Sequence, residues 1–206
     1  MIEKFSKFTG ITAIINEENI DTDAIIPASY LRSLNTDLAK GLFAEKRYNV
    51  DGNEEPDFIL NQPLYRNSSI LISGSNFGCG SSRESAVWAI KRFGFKCVIA
   101  SSFGEIFYEN SFKNGLLLIT LQDEQIKIVL DTLVSSNLPE LSIDLFDCVI
   151  NLPTGKQFNF IIPESRRNAL LNGLDEIEST LSNYKKIENF QNHDKYIRPW
   201  IYNFTP

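Results

Sequence analysis

Between Ser69 and Gly94 the chain places a β-branched apolar run, a glycine-rich loop and a helix-period segment in immediate succession. This order restricts its fold more than any other feature. Ser69-Ile70-Leu71-Ile72-Ser73 reads as a buried strand, and Ala86, Val87, Ala89, Ile90 and Phe93 recur at helical spacing until Gly94. Between them lies Gly74-Ser75-Asn76-Phe77-Gly78-Cys79-Gly80-Ser81-Ser82-Arg83-Glu84. Ser81 and Glu84 have the spacing of a capping box, which predicts that Ser81, Ser82 and Arg83 lie in the first turn of the helix. A helix N-terminus offers unpaired N–H groups and partial positive charge. Glycines let the backbone approach a ligand, and the forked guanidinium of Arg83 suits a carboxylate. The loop is therefore expected to bind an anion, with two hydroxyls facing it. The plain alternative is a tight turn capped by serine. A nucleotide site is disfavoured: Arg83 stands where a dinucleotide fingerprint has its third glycine, and no Gly-Lys-Ser/Thr follows.

Strand and helix patterns alternate beyond this unit. Expected strands cover 8–16, 70–73, 96–100, 116–120, 141–145, 149–152 and 157–162. Expected helices cover 38–48 (capped near Asn35 or Thr36), 82–93, 103–113, 123–135, 164–172 and 174–186. Residues 21–27 read as a turn, and the polar stretch 49–62 turns at Asp51-Gly52-Asn53. The alternation argues for an α/β layer with parallel pairs, carrying a β-rich insertion near 141–162. A length of 206 residues fits one domain, 1–186, followed by an aromatic tail, 187–206. Tyr196, Trp200, Tyr202 and Phe204 of the tail pack either on their own domain or on a partner subunit.

Charge and rare residues narrow the function. With 26 acidic against 20 basic residues the net charge is −6, which argues against nucleic acid and anionic membranes as partners. No run of 18 apolar residues occurs, and Met1-Ile2-Glu3-Lys4-Phe5-Ser6 lacks the form of a signal peptide, so a cytoplasmic protein is expected. Cys79, Cys97 and Cys148 are too widely spaced for a disulfide framework or for closely spaced iron–sulfur ligands. Cys97 and Cys148 read as small apolar residues in strands. The lone histidine, His193, reads as a surface residue and excludes zinc sites built from several histidines. No metal ligand is expected on this chain.

The glycine loop resembles that of the 3-isopropylmalate dehydratase (isopropylmalate isomerase) small subunits, a family similar to the swivelling C-terminal domain of aconitase. Three further stretches carry the resemblance. Asn19-Ile20-Asp21-Thr22-Asp23-Ala24-Ile25-Ile26-Pro27 is similar to the family's N-terminal signature. Ala100-Ser101-Ser102-Phe103-Gly104-Glu105-Ile106-Phe107-Tyr108-Glu109-Asn110-Ser111-Phe112-Lys113-Asn114-Gly115-Leu116 forms the next block. Arg166-Arg167 and Asn172-Gly173-Leu174-Asp175 complete the series, so the resemblance runs from about residue 5 to about residue 181. The family commonly reads Ser-Arg-Glu-His-Ala-Pro-Trp, where this chain has Ser82-Arg83-Glu84-Ser85-Ala86-Val87-Trp88. A histidine and a proline are thus replaced.

The resemblance implies an α/β fold of the aconitase-type swivelling β/β/α kind, a mixed sheet with flanking helices. It implies one half of a hydro-lyase of leucine biosynthesis. That enzyme isomerises 2-isopropylmalate and 3-isopropylmalate by removing water and re-adding it at the neighbouring carbon. By residue match Ser81 is the catalytic base, acting as an alkoxide. Ser82 and Arg83, with Gly80 beside them, bind a substrate carboxylate. Asp23 matches an active-site aspartate, and Arg32, in Tyr30-Leu31-Arg32-Ser33, falls where the family reads the substrate's variable group. This chain is expected to bind no cofactor; a 4Fe-4S cluster is expected in a separate large subunit, with the active site at the interface and the chain inactive alone. Two alternatives stay open. A basic Arg32 suits a paralogue acting on another hydroxy-di- or tricarboxylate, of homoaconitate or methylmalate type. Ser85 in place of the histidine suits a non-catalytic anion-binding or regulatory subunit. Asp23 as a turn residue, Ser82 as a helix cap and Arg32 as a solvated surface cation are the bland readings of the same positions.

Overall fold

The computed structural model describes residues 2–32 and 36–202. Its strands are β1 (Phe8–Ile15), β2 (Ile70–Ser73), β3 (Cys97–Ala100), β4 (Leu117–Thr120), β5 (Glu140–Asp144), β6 (Val149–Asn151) and β7 (Gln157–Asn159). They form one sheet in the order β4-β3-β2-β1-β5-β6-β7. The half from β1 to β4 is parallel, and the half from β1 through β5 and β6 to β7 is antiparallel. β1 is the seam. Its first half pairs Phe8 to Ile143 and Ile11 to Glu140, and its second half pairs Thr12 to Ile70 and Ile15 to Ser73. Every residue of β2 and β3 is buried, as expected of central parallel strands covered on both faces, whereas β7 is largely exposed. The mixed sheet with flanking helices is the fold class expected from the sequence.

The helices are α1 (Thr22–Ile25), α2 (Leu38–Gly41), α3 (Ala44–Arg47), α4 (Glu84–Phe93), α5 (Glu105–Lys113), α6 (Asp123–Val134), α7 (Glu164–Asn172), α8 (Glu176–Leu181) and α9 (Tyr184–Ile197). α4 buries Ala86, Val87, Ala89 and Ile90 on one face and leaves Trp88 exposed on the other. Val87 and Ile90 contribute about 1.5–3 kcal/mol each by this burial, so the helix that follows the glycine loop is anchored in the core. No described helix is long and apolar enough to cross a membrane.

Several local expectations need correction. Residues 21–27 are not only a turn: Asp21 caps α1, its carboxylate accepting from the Ala24 N–H at 2.7 Å. The helix expected over 38–48 is split. Adjacent Leu42 and Phe43 are both essentially fully buried, and Phe43 takes a left-handed conformation (φ 50°) that starts α3 in a new direction. Its first half is capped by Asp37, not Thr36; Asn35 lies outside the described residues. Cys97 is buried in β3 as expected, but Cys148 is half-buried at φ 55°, in the turn before β6 rather than in a strand. The helix expected over 174–186 is two helices, and the boundary drawn after 186 falls inside α9. In the tail, Tyr202 is tied back to Asp194 at 2.8 Å while Tyr196 and Trp200 stay exposed; Phe204 lies outside the described residues.

Candidate functional site

Three loops meet at the carboxyl ends of the parallel strands. The loop after β1 and the loop after β2 are stitched together by backbone bonds: Gly78 N–H to Ile20 O at 2.7 Å and Thr22 N–H to Cys79 O at 3.0 Å. The loop after β3 is stitched to the loop after β2 by Phe77 N–H to Ser102 O at 3.1 Å and Gly104 N–H to Phe77 O at 2.9 Å. Side chains lock the same junction. Asn76 Nδ2 donates to Asn19 Oδ1 at 2.8 Å, and the Asn76 N–H donates to Ser102 Oγ at 2.8 Å. Asn19 and Asn76 both have φ 56°, a conformation asparagine tolerates better than most residues.

Close approach dictates the glycines. Gly78 has φ 74°, and a Cβ there would lie 2.3 Å from the buried Phe107 ring. That ring stacks edge-on against Phe77 with centroids 5.4 Å apart. At Gly104 a Cβ would lie 2.5 Å from the Gly78 carbonyl oxygen. The glycine loop therefore rests directly on backbone and on a packed aromatic pair.

Of the residues singled out in the sequence, Asp23, Gly80, Ser81, Ser82 and Arg83 come together here. The Arg83 guanidinium pairs with the Asp23 carboxylate across the two loops. Thr22 Oγ1 donates to the Ser81 carbonyl at 3.0 Å, and Gly80 sits against Asp21. Ser81 and Ser82 are exposed, and among the described residues no hydrogen bond engages either hydroxyl. The Asp23 and Arg83 side chains are 52% and 27% exposed, so their pair is worth at most about 1 kcal/mol. It orients the guanidinium more than it stabilises the fold. Arg32 lies exposed at the end of the 3-10 turn Ala28–Leu31. No described contact joins it to the serine pair; Ser33 beside it lies outside the described residues.

The capping box does not form. The Ser81 carbonyl is taken by the Arg83 N–H at 2.8 Å and by Thr22, which turns the chain before the helix begins. α4 starts at Glu84 with extended Arg83 at its N-cap and no side-chain cap, so the serines precede the first turn. Glu84 instead accepts from Asn114 Nδ2 at 2.7 Å. Asn114 also accepts from Trp88 Nε1 at 3.0 Å, and its carbonyl accepts from Lys91, whose amine burial holds below the usual lysine value. This one residue therefore clamps Glu84, Trp88 and Lys91 along α4. Asn19, Asn76, Ser102 and Asn114 lie inside the motif stretches, but the sequence alone assigns their side chains no role; the Asn-Gly pair after α5 was the signal available for the last.

A cleft of about 690 Å³ opens elsewhere, lined by Pro27, Tyr30, Lys40, Tyr48 and Glu54 among others. Ser81, Ser82 and Arg83 do not line it; the two serines are exposed and Arg83 is half-buried. Cys79 Sγ faces the Asn19 carbonyl at 3.5 Å, Cys97 is buried in β3 and Cys148 lies by β6. Among the described residues no three His, Cys, Asp or Glu side chains gather as a metal site, so this residue set does not fit an iron–sulfur cluster.

The family profile of the aconitase C-terminal domain matches residues 2–124. A 3-isopropylmalate dehydratase small subunit from Afipia carboxidovorans is 48% identical over 201 residues, spanning 97% of this chain and all of that relative. One from Agrobacterium fabrum is 48% identical over 200 residues, with the same coverage. The crystal structure of 3-isopropylmalate dehydratase from Methanocaldococcus jannaschii superposes with a TM-score of 0.64 at 29% identity, covering 90% of this chain and 99% of that one. The chain belongs to the family of 3-isopropylmalate dehydratase small subunits, built on the aconitase C-terminal domain.

Proposed function

We propose that this chain is the small subunit of a heteromeric hydro-lyase that isomerises 2-isopropylmalate and 3-isopropylmalate, a step of leucine biosynthesis. The observation that carries this reading is that the exposed Ser81 and Ser82 directly precede Arg83, paired with Asp23, on a loop stitched by backbone bonds to the loops on both sides of it. Ser81 is assigned as the base. Its alkoxide takes the proton from the substrate carbon as the double bond forms and hydroxide departs, and it returns the proton when water adds at the neighbouring carbon. A serine is a poor base at neutral pH unless its anion is stabilised. The adjacent guanidinium and the loop N–H groups supply that stabilisation. Arg83 holds a substrate carboxylate, sharing its fork with Asp23 or exchanging one partner for the other, and Ser82 and Gly80 complete that contact. Arg32 faces the substrate's variable group.

The Lewis-acid help for the departing hydroxyl belongs to a 4Fe-4S cluster, which we assign to the large subunit. The open position of the loop supports an active site completed by that subunit. The reading further implies a cytoplasmic enzyme that engages neither membrane nor nucleic acid.

The test is turnover after anaerobic reconstitution with the cognate large subunit, following absorbance of the unsaturated intermediate with 3-isopropylmalate, homocitrate and citramalate-type acids as substrates. Rapid conversion of 3-isopropylmalate, with no turnover by either subunit alone, is the expected result. Activity confined to another acid would transfer the assignment to that substrate. A formed complex inert toward all of them would sink it.

A further inference from the structure

The parallel pairing of β1 and β2 continues past the ends of the strands. Beyond Ile15 and Ser73 the two loops run on side by side, and successive residues of one engage successive residues of the other. Asn19 meets Asn76 through their side chains, the Ile20 carbonyl accepts from the Gly78 N–H, the Thr22 N–H donates to Cys79 O, and Asp23 pairs with Arg83. Thr22 stands within this series and is 1% exposed. Its hydroxyl donates to the Ser81 carbonyl at 3.0 Å, the one hydrogen bond that Ser81 receives from a side chain among the described residues.

That bond fixes a peptide plane. No described peptide is cis, so the C=O and N–H of the Ser81–Ser82 peptide point in opposite directions. The carbonyl turns inward to the buried Thr22 hydroxyl, and the Ser82 N–H therefore turns outward, to the side on which both serines are exposed. Among the described residues no backbone carbonyl takes the Gly80, Ser81 or Ser82 N–H. The Arg83 N–H also reaches the Ser81 carbonyl, at 2.8 Å, but it belongs to the same loop and moves with it. Thr22 holds the peptide from outside. It is itself fixed, its N–H on Cys79 O and its carbonyl accepting from the Ile26 N–H at 3.0 Å, and a β-branched side chain has few rotamers to choose from. We infer that Thr22 is a positioning residue for the candidate base: its hydroxyl sets the Ser81–Ser82 peptide, and with it the place of Ser81 Oγ and the direction of the Ser82 N–H. This inference rests on the assignment of Ser81 proposed above.

The test compares Thr22→Val, Thr22→Ser and Thr12→Val in small subunits assembled with the cognate large subunit, with kcat taken per complex isolated by size exclusion. A folding defect then lowers the yield of complex and leaves its kcat alone. Valine removes the hydroxyl at nearly the same shape, and serine keeps it. Thr12, fully buried in β1 with its hydroxyl reaching Gly10 O of the same strand at 3.5 Å, carries the same exchange as a control. Thr22→Val should lose about 10–100-fold in kcat, as for a displaced reacting group, with KM nearly unchanged. Thr22→Ser should recover most of the wild-type rate, and Thr12→Val should match it. With 3-isopropylmalate deuterated at the carbon that gives up its proton, the isotope effect on kcat in Thr22→Val should be at least as large as in wild type, because proton abstraction is the step that slows. A wild-type kcat in Thr22→Val, a smaller isotope effect there, or an equal loss in Thr22→Ser overturns the inference and leaves the assignment of Ser81 intact. A wild-type complex inert toward 3-isopropylmalate, or one whose kcat survives Ser81→Ala, would instead remove that assignment, and the inference with it.

Discussion

Gly78→Ala tests how tightly the candidate catalytic loop is built. Two costs add at this position. The left-handed backbone, φ 74°, costs an alanine about 1–2 kcal/mol. The new Cβ would stand 2.3 Å from Cγ and 2.6 Å from Cδ1 of Phe107. Phe107 is 3% exposed and stacked on the fully buried Phe77, so it cannot swing away, and overpacking of this kind costs about 1–3 kcal/mol. The sum is about 2–5 kcal/mol. For a chain of this size each kcal/mol lowers the melting temperature by about 2–4 °C, so Gly78→Ala should melt about 4–20 °C below wild type. Two other glycines separate the terms. Gly52 has φ 80° with nothing within 4 Å of a built Cβ, so Gly52→Ala carries only the backbone cost. Gly104 has an ordinary φ of −60° but meets the Gly78 carbonyl at 2.5 Å, so Gly104→Ala carries only the packing cost. Thermal unfolding followed by circular dichroism at 222 nm measures all three. Gly78→Ala melting no lower than Gly52→Ala would show that Phe107 does not press on the loop, and the account of a rigid loop would fail.

Further outcomes follow from the same geometry. Asp23→Asn should shift the melting temperature by less than about 4 °C, because the pair with Arg83 is largely exposed, yet reduce turnover of the reconstituted enzyme at least about 10-fold; equal activity would make Asp23 a turn residue. Asn114→Ala should cost about 1–3 kcal/mol in urea unfolding, since it releases Glu84, Trp88 and Lys91 together; a change below about 0.5 kcal/mol would refute the clamp. The Asp147 N–H, the Lys7 amine at 3.2 Å and the Phe146 N–H hold the Asp144 carboxyl below the usual carboxylate range. Because the folded-state value is depressed, its stabilisation is present above the unfolded value near pH 4 and is lost as the pH falls below it. Asp144→Asn should therefore flatten the acid limb of a stability–pH curve, and an unchanged limb would contradict the assignment. Burial pushes the Cys97 thiol far above its usual range, so in the native protein it should react with a thiol reagent last, after half-buried Cys79 and Cys148; early labelling of Cys97 would contradict its place in the core.

The central unit was legible because its signals are local and agree with one another: β-branched residues at 70–72, glycines where the backbone turns, and a helical apolar face from Ala86. The parallel half of the sheet followed from alternation alone. What the sequence hid depends on long-range contacts. The spacing of Ser81 and Glu84 satisfies a capping box, but Thr22, 59 residues away, competes for the Ser81 carbonyl and Asn114, 30 residues away, takes the Glu84 carboxylate. Phe43 breaks its helix because two neighbouring side chains both enter the core, a constraint visible only once the core is placed. The site residues Asp23 and Arg83 were named separately from two motifs; their pairing across 60 residues is a product of the parallel β1–β2 seam.

The most direct test of the central assignment is the turnover of a Ser81→Ala small subunit assembled with its large subunit. Ser81 is exposed and engages only its carbonyl in the loop's hydrogen bonds, so the variant should fold and assemble as wild type does. Its kcat should fall about 10²–10⁴-fold, the range for a positioned general base, with KM and subunit affinity nearly unchanged. Near-wild-type kcat in a fully assembled complex would contradict the assignment and move the base elsewhere.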